Sequence, residues 1–271
     1  MSDVASWISV GALADGFAPE SNILPPCYDL AGQDIVLDYE TGFSRQFRLE
    51  RAGAAQQLVL ADGSTHEARV TSLRGGLYFI DYLPAALPRS AITLLLDTAS
   101  GAALEITGTL PTAAETGLSL LTRAQAGSPL TAVQASFSAA RRAGRAAAPY
   151  GFPKTTELVG KRIRYRYSAT ELYEHIYLNP SCYTWQCLAG VEAGLADTDL
   201  CHYFKLREEL YLFIWQEKIV PTLGVVTVDL TRMKTDGKIF GYAGDDFTTL
   251  TNFPVGALAS IANDTPTPVL G

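Results

Sequence analysis

GKRIRYRYSATELYEHIYLN, residues 160–179, packs four tyrosines, a histidine, two glutamates and four cationic residues into one short stretch. Successive side chains of a β-strand point to opposite faces, so alternation sorts the stretch. Arg162, Arg164 and Arg166 share one face, and Ile163, Tyr165 and Tyr167 share the other. Three arginines are not buried without partners. The Ile163–Tyr165–Tyr167 face therefore points inward, and the arginine row forms a solvated outer face, with an anion site as the lesser alternative. Further on, Tyr173, His175 and Tyr177 oppose Leu172, Glu174, Ile176 and Leu178. Composition leaves open which of these faces is inner. The stretch reads as a hairpin whose tyrosines are either ordinary strand formers that find hydrogen-bond partners or hydroxyl groups aimed into a pocket.

A second run, LYLFIWQEK from Leu210, alternates in the same way. Tyr211, Phe213, Trp215 and Glu217 share one face, and Leu210, Leu212 and Ile214 the other. With the aromatic face inward, Glu217 ends an aromatic wall.

The surrounding chain repeats itself. LAGQDIVLDY from Leu30 matches LVGKRIRYRY from Leu158, with Leu, Gly, Ile and Tyr recurring at a constant offset. LRGGLYFIDY from Leu73 matches LREELYLFIW from Leu206, and ITLLLDTASG from Ile92 resembles VVTVDLTRMKTDG from Val225. Three blocks in the same order argue for duplication. Each copy is a series of short β runs split by turns, and closing such a series on itself removes sheet edges. The fold expected is mainly β: two tandem lipocalin-like (calycin-like) antiparallel β-barrels with short helices. One β-sandwich with a pseudo-repeat is the alternative. An eight-stranded barrel leaves room for one small ligand.

The expected domains are residues 1–122, a β-barrel with a leading helix; 123–152, an Ala-rich linker; and 153–271, the second barrel. The leading helix runs to about Asp15, with Trp7, Val10 and Ala14 at helical spacing and Gly16 as its stop. Within AGSPLTAVQASFSAARRAGRAAAP, from Ala126, Thr131 to Arg142 reads as partly helical. A less regular tail follows Tyr242. The first copy lacks the tyrosine chemistry: Leu37 stands where the second has Tyr165, Tyr82 opposite Trp215, and Pro84 about where Glu217 falls; only Tyr39 matches Tyr167. Function is therefore expected in the second copy.

A length of 271 residues, 48% of them hydrophobic, suffices for one large or two small cores, and a net charge of −7 argues against nucleic acid. No apolar run approaches the ~18–20 residues of a membrane span. The N-terminus carries no basic segment followed by an apolar core, so no secretory signal is expected and the location read is cytoplasmic. Cys27, Cys182, Cys187 and Cys201 are too few for a disulfide framework. Three of them lie near His202, but Cys182 and Cys187 are separated by an odd number and would face opposite ways on one strand. Free thiols are expected, with no metal. Nucleotide and hydrolase motifs are absent.

The chain resembles the MoaF family, usually labelled molybdenum cofactor biosynthesis protein F. The resemblance rests on ELVGKRIRYRYS, YEHIYLNP, YTWQCLAGVEAGLADTDLCHY, EKIVPTLGVV and GKIFGY in the second half, and on VGALADGFA and LRGGLYFIDYL in the first. The family is also associated with monoamine-utilisation operons. The second copy is similar to the bacterial phenolic acid decarboxylases, through GKRIRYRY, YEHIYLN, AGVEAG, KLREELYLFIWQE and GKIFGY. That resemblance implies that Tyr165 and Tyr167 bind a phenolic oxygen and that Glu217 is the proton donor. It also places the substrate-carboxylate arginine near Trp185–Gln186, where this chain has Gln186.

The expectation is therefore a lyase or proton-transfer enzyme acting on a phenolic or aryl compound, including monoamine derivatives. The catalytic set is Tyr165, Tyr167 and Glu217, and the substrate wall is Tyr173, His175, Trp185, Gln186, Tyr211, Phe213 and Trp215. The alternative is a non-catalytic lipocalin-like binder of a small ligand, nominally linked to molybdenum cofactor biosynthesis. His175 is an extra base or, by preference, a hydrogen-bonding residue within the barrel. No cofactor is implied. The partner is a small aromatic or phenolic ligand, with no membrane, and homo-oligomer formation is left open.

Overall fold

A computed structural model describes residues 6–145 and 147–265. In chain order, α1 (Val10–Phe17) comes first. Seven strands follow: β1 (Asp34–Tyr39), β2 (Ser44–Ala52), β3 (Ala55–Leu60), β4 (Thr65–Arg74), β5 (Leu77–Tyr82), β6 (Ser90–Asp97) and β7 (Ala102–Thr109). The short helices α2 (Ala113–Thr116) and α3 (Leu120–Gln125) precede β8 (Gln134–Arg142). The remaining strands are β9 (Lys161–Arg166), β10 (Leu172–Asn179), β11 (Cys182–Ala189), β12 (Ala196–Arg207), β13 (Leu210–Glu217), β14 (Thr222–Asp229), β15 (Lys234–Tyr242) and β16 (Leu250–Asp264).

β1–β8 form one closed antiparallel barrel and β9–β16 a second, each an up-and-down series closed by its first and last strands. In the first, Leu37 pairs with Arg142; in the second, Tyr165 pairs with Ala259. The repeat blocks coincide strand for strand: β1 with β9, β5 with β13, and β6 with β14. Alternation gives each barrel its own core. Leu37, Tyr39, Phe47, Ile80 and Leu94 fill the first; Ile163, Tyr165, Tyr177, Tyr183, Phe213 and Trp215 fill the second. No helix among the described residues is long and apolar enough to cross a membrane.

The chain divides into two compact units. One comprises Leu24–Thr109 with Ala135–Pro153, around the first barrel. The other comprises the residues through Ile23, Leu110–Gln134, and the chain from Lys154 onward, around the second.

Three readings of the sequence differ from this architecture. The segment 134–142, read as linker and partly helical, is the strand that closes the first barrel. Its strand period is carried by Ala, Ser and one Phe, so apolar contrast is low. The tail after Tyr242, read as less regular, contains β16, the strand that closes the second barrel. Gly256, Ala257, Ala259 and Ser260 hide it in the same way. The leading helix starts at Val10, capped by the Ser9 hydroxyl accepting from the Ala12 N–H at 3.3 Å, and continues through Gly16 to Phe17. It packs in the unit of the second barrel, although it precedes the first in sequence.

Candidate functional site

The β9–β10 hairpin sets the site. Tyr165 pairs with Tyr173, and Ile163 with His175. Tyr173, His175 and Tyr177 therefore join Tyr165 and Tyr167 on the inner face, where all five are buried. The outer face is an ion-pair cluster rather than a bare arginine row. Arg162 lies 2.5 Å and Arg164 3.0 Å from the Glu174 carboxylate. Gln186 donates to the same carboxylate at 2.6 Å. Burial works against its ionisation, but these three donors hold Glu174 below the usual carboxylate range. Gln186 thus lies outside the barrel, away from the other candidate residues. Its cross-strand pairing with Glu174 dictates that side.

Deep in the barrel the Tyr165 and Tyr177 hydroxyls are 2.6 Å apart. Phe213 stacks on Trp215 at 5.2 Å and on Tyr203 at 5.6 Å. Tyr211 donates to Glu157 at 2.8 Å. Above this layer lies a cavity of about 30 Å³. Tyr167, Tyr173, His175, Trp185, Trp215 and Glu217 line it, whereas Tyr165, Tyr211 and Phe213 do not. Leu13 and Phe17 of α1 close the lining, together with Tyr183, Glu192 and Ile239. Phe17 stacks on Tyr167 at 4.8 Å and meets Tyr173 edge-on at 5.5 Å.

Close backbone approach makes this seating possible. A Cβ on Gly11 would come within 2.3 Å of the Ala243 carbonyl oxygen, and one on Gly16 within 2.7 Å of the Val191 side chain. On the floor, a Cβ on Gly224 would lie 2.0 Å from the Trp215 ring, so glycine there admits the indole. A larger groove of about 380 Å³ on the same unit is lined by Lys154, Glu157, Pro180, His202 and Tyr203. It shares no residue with the aromatic cavity.

The carboxylates of the cavity are arranged unequally. Glu217 accepts a hydrogen bond from Trp215 Nε1 at 2.8 Å and has no cationic partner among the described residues. The neighbouring Lys218 is taken by Asp197 and by Asp199, the latter at 3.3 Å. Glu217 keeps some accessible surface because it lines the cavity, yet protein surrounds it. Desolvation, then the charges of Asp199 and Glu192, push its acid well above the ordinary range; the Trp215 hydrogen bond only partly opposes them. Asp199, which accepts from Trp185 Nε1 at 3.0 Å, is raised by burial. So is Glu192, which accepts from Tyr173 at 2.9 Å.

His175 is 4% exposed, and its Nδ1 has no hydrogen-bond partner. Burial lowers its pKa to about 3, so the imidazole is neutral. The preferred expectation, a hydrogen bond within the barrel, is therefore not what Nδ1 makes. Burial raises the Tyr167 hydroxyl pKa beyond the ordinary tyrosine range.

Sequence reasoning missed Tyr183, Glu192, Asp199 and the α1 residues. Alternation along β11 places Tyr183 with Trp185 and could have found it. Glu192 sits in the AGVEAG loop. No local signal points from α1 to a barrel so distant in sequence. Cys182 and Cys187 do face opposite sides of β11, Cys201 Sγ donates to the Tyr203 hydroxyl at 2.9 Å, and all four thiols are free. Among the described residues no three His, Cys, Asp or Glu side chains gather as a metal site.

The first barrel has a different interior. Tyr39 donates to Glu105 at 2.5 Å, and Arg45 forms an ion pair with the same carboxylate. Its cavity is about 10 Å³.

Two family models match the chain, the MoaF N-terminal domain over residues 5–112 and the MoaF C-terminal domain over residues 152–265. Protein MoaF of Klebsiella aerogenes is 43% identical over 265 residues, which cover 98% of each chain. A solved structure from Burkholderia vietnamiensis, provisionally named a β-lactamase, shares 16% identity over 38% of this chain and 94% of its own, with a TM-score of 0.33. That likeness is too slight to bear on fold or activity.

Proposed function

The chain belongs to the MoaF family, and from that premise we propose that its second barrel transfers a proton to or from a small phenolic or aryl compound, as a lyase. The carrying observation is Glu217, a carboxyl group on an aromatic-lined cavity with no cationic partner among the described residues, accepting from the Trp215 indole; burial biases it toward its acid form. A carboxyl group whose acid form is favoured in this way can donate its proton to a leaving group. Tyr167 lies on the same cavity, and its hydroxyl would hold a phenolic oxygen as that oxygen gains negative character. The substrate would react as its phenolate, its proton lost to solvent; the ring becomes a quinone methide as the C–O or C–N bond to the benzylic carbon breaks, and the leaving group takes up the Glu217 proton. Tyr165, tied to Tyr177, would position the Tyr167 wall from behind. Among the described residues no arginine or lysine lines the cavity, so the leaving group we favour is water or ammonia rather than carbon dioxide.

A cavity that binds benzene measures about 150 Å³, several times the space present here. An aryl substrate must therefore displace Phe17 from the barrel mouth, and its ring would take the position Phe17 now holds against Tyr167. The seated Phe17 favours one second reading, a non-catalytic barrel that closes over a small ligand. The family label ties these proteins by name to molybdenum cofactor biosynthesis and specifies no reaction.

Turnover of a panel of p-hydroxyphenyl amines, alcohols and acids separates the two readings. On the lyase reading, Glu217→Gln lowers kcat by about 10²–10⁴-fold, and Tyr167→Phe lowers it less. If ligands bind and the wild-type protein turns none of them over, the lyase reading is wrong and the binding reading stands.

A further inference from the structure

β12 runs to Arg207, but β11 pairs with it only between Ala196 and Leu200. One further bond follows, from the Cys201 N–H to the Ser181 carbonyl at 2.9 Å. Beyond it the edge of β12 is taken up by the chain that precedes β9. Lys154 bridges Phe204, and the Thr155 N–H donates to the Tyr203 carbonyl at 3.2 Å. The groove of about 380 Å³ opens between this segment and the β10–β11 turn at Pro180, with His202 and Tyr203 behind it. Sites for small molecules measure about 300–1,000 Å³, so this groove has the room that the aromatic cavity lacks.

Its available polar groups are donors. The Lys154 ammonium lines the groove, exposed, with no hydrogen bond or ion pair among the described residues. Thr155 Oγ1 accepts from the Glu157 N–H at 3.2 Å, which leaves its own proton to donate. The Thr156 hydroxyl has no partner among the described residues. Glu157, the one carboxylate on the groove among the described residues, is already answered. Lys205 and Tyr211 each donate to it at 2.8 Å and hold it below the usual carboxylate range. Burial, joined by the Lys154 charge, lowers the His202 pKa against the hydrogen bond with Gln216, so His202 is a neutral wall within reach of that charge. An ammonium flanked by hydroxyl donors suits an oxyanion, because hydrogen bonds from a charged donor to a charged acceptor are the strong ones. We infer that this groove is a second ligand site, which binds a small organic anion through a phosphate or carboxylate head, with the body of the ligand along Pro180 and Tyr203. The chain carries a net charge of −7, so its overall field does not gather anions, and a bound one reports a local site.

This inference does not rest on the proposed function, since the groove shares no residue with the aromatic cavity. Calorimetric titration of the full chain, at neutral pH and low ionic strength, compares phenyl phosphate, phenylacetate and their uncharged counterpart benzyl alcohol. At least one anion is expected to bind about tenfold or more tighter than benzyl alcohol, and the tighter of the two identifies the head group. Lys154→Ala is expected to weaken that anion about tenfold, and Thr156→Val about threefold. Lys154→Arg keeps the charge and should hold binding within about threefold of wild type. Lys161→Ala removes a cation of the same barrel outside the groove and should leave binding unchanged. Lys154 and Thr156 are exposed, so the fold should survive both substitutions, and melting temperatures check this; should Lys154→Ala melt early, Thr156→Val carries the test. No preference for either anion over benzyl alcohol would overturn the inference. So would anion binding that Lys154→Ala and Thr156→Val leave intact, or that Lys161→Ala weakens as much as Lys154→Ala does.

Discussion

The two barrels share strand order and pairing register, yet they treat an internal carboxylate in opposite ways. The row Ile80–Leu94–Glu105 in the first corresponds to Phe213–Val226–Gly237 in the second. Glu105 is neutralised by Arg45 and by the Tyr39 hydroxyl. In the second barrel this row position is glycine, and the acid appears instead at Glu217, at the end of β13, where it accepts from an indole N–H and has no cationic partner among the described residues. Around it the second barrel replaces Leu37 by Tyr165, Tyr82 by Trp215, and Ile92 by Gly224. A satisfied ion pair serves packing, whereas an acid without a counter-charge is tolerated at a site that uses it.

The largest expected effect sharpens the role of α1. Phe17→Ala removes a buried ring stacked on Tyr167. Phe→Ala in a core costs about 3–5 kcal/mol, and the upper part of that range applies only if the mouth fails to collapse. Chemical denaturation measures the loss. The same variant should admit an aryl ligand more readily, because the ring that occupies its position has gone. A loss below about 1 kcal/mol would mean that α1 is not seated on the barrel in solution.

Arg45→Ala tests the other half of the comparison. Breaking a fully buried pair costs about 3–5 kcal/mol; Arg45 keeps some exposure, so about 2–3 kcal/mol is expected. Arg45→Ala combined with Glu105→Gln should recover much of that loss. If the single variant unfolds no earlier than wild type, Glu105 does not depend on its cation and the contrast with Glu217 disappears.

Gly224→Ala probes the space made for Trp215. A Cβ there would overlap the indole, and overpacking costs about 1–3 kcal/mol. Displacing Trp215 also disturbs its hydrogen bond to Glu217, so its fluorescence should shift along with the stability.

The duplication was legible because Leu, Gly, Ile and Tyr recur in step, and the inner faces of β9 and β13 were legible because large aromatics alternate with charged or aliphatic residues. β8 and β16 were not, since small residues carry a strand period with little contrast. The Arg45–Glu105 pair escaped because its members are far apart in sequence and each resembles an ordinary surface charge. Gln186 was placed in the pocket by analogy, whereas its pairing with Glu174 turns it outward. The docking of α1 is a long-range contact, specified by Gly11 and Gly16 only once the partner backbone is known. Local pattern therefore reached part of the cavity wall, and tertiary contact supplied its α1 side and the nearby acids Glu192 and Asp199.

The smallest effect on stability is expected at Glu217 itself, and its pH dependence shows why. Glutamine is close in size to the protonated acid and can still accept from the Trp215 indole, so Glu217→Gln should change stability by under about 1 kcal/mol at neutral pH. The folded pKa of Glu217 lies above its ordinary value of 4.5. Below the unfolded pKa both states hold the proton, and the favourable contribution of the neutral acid is fully present. As pH rises, the unfolded chain ionises first while the folded one retains its proton, and this contribution is progressively lost up to the folded pKa. Wild type should therefore lose melting temperature from about pH 4.5 upward more steeply than Glu217→Gln, with Asp199 and Glu192 adding slope of the same sign to both proteins. Parallel melting profiles across that range would show that Glu217 ionises as freely as a surface residue. The contrast with the neutralised Glu105 of the first barrel would then lose its physical basis.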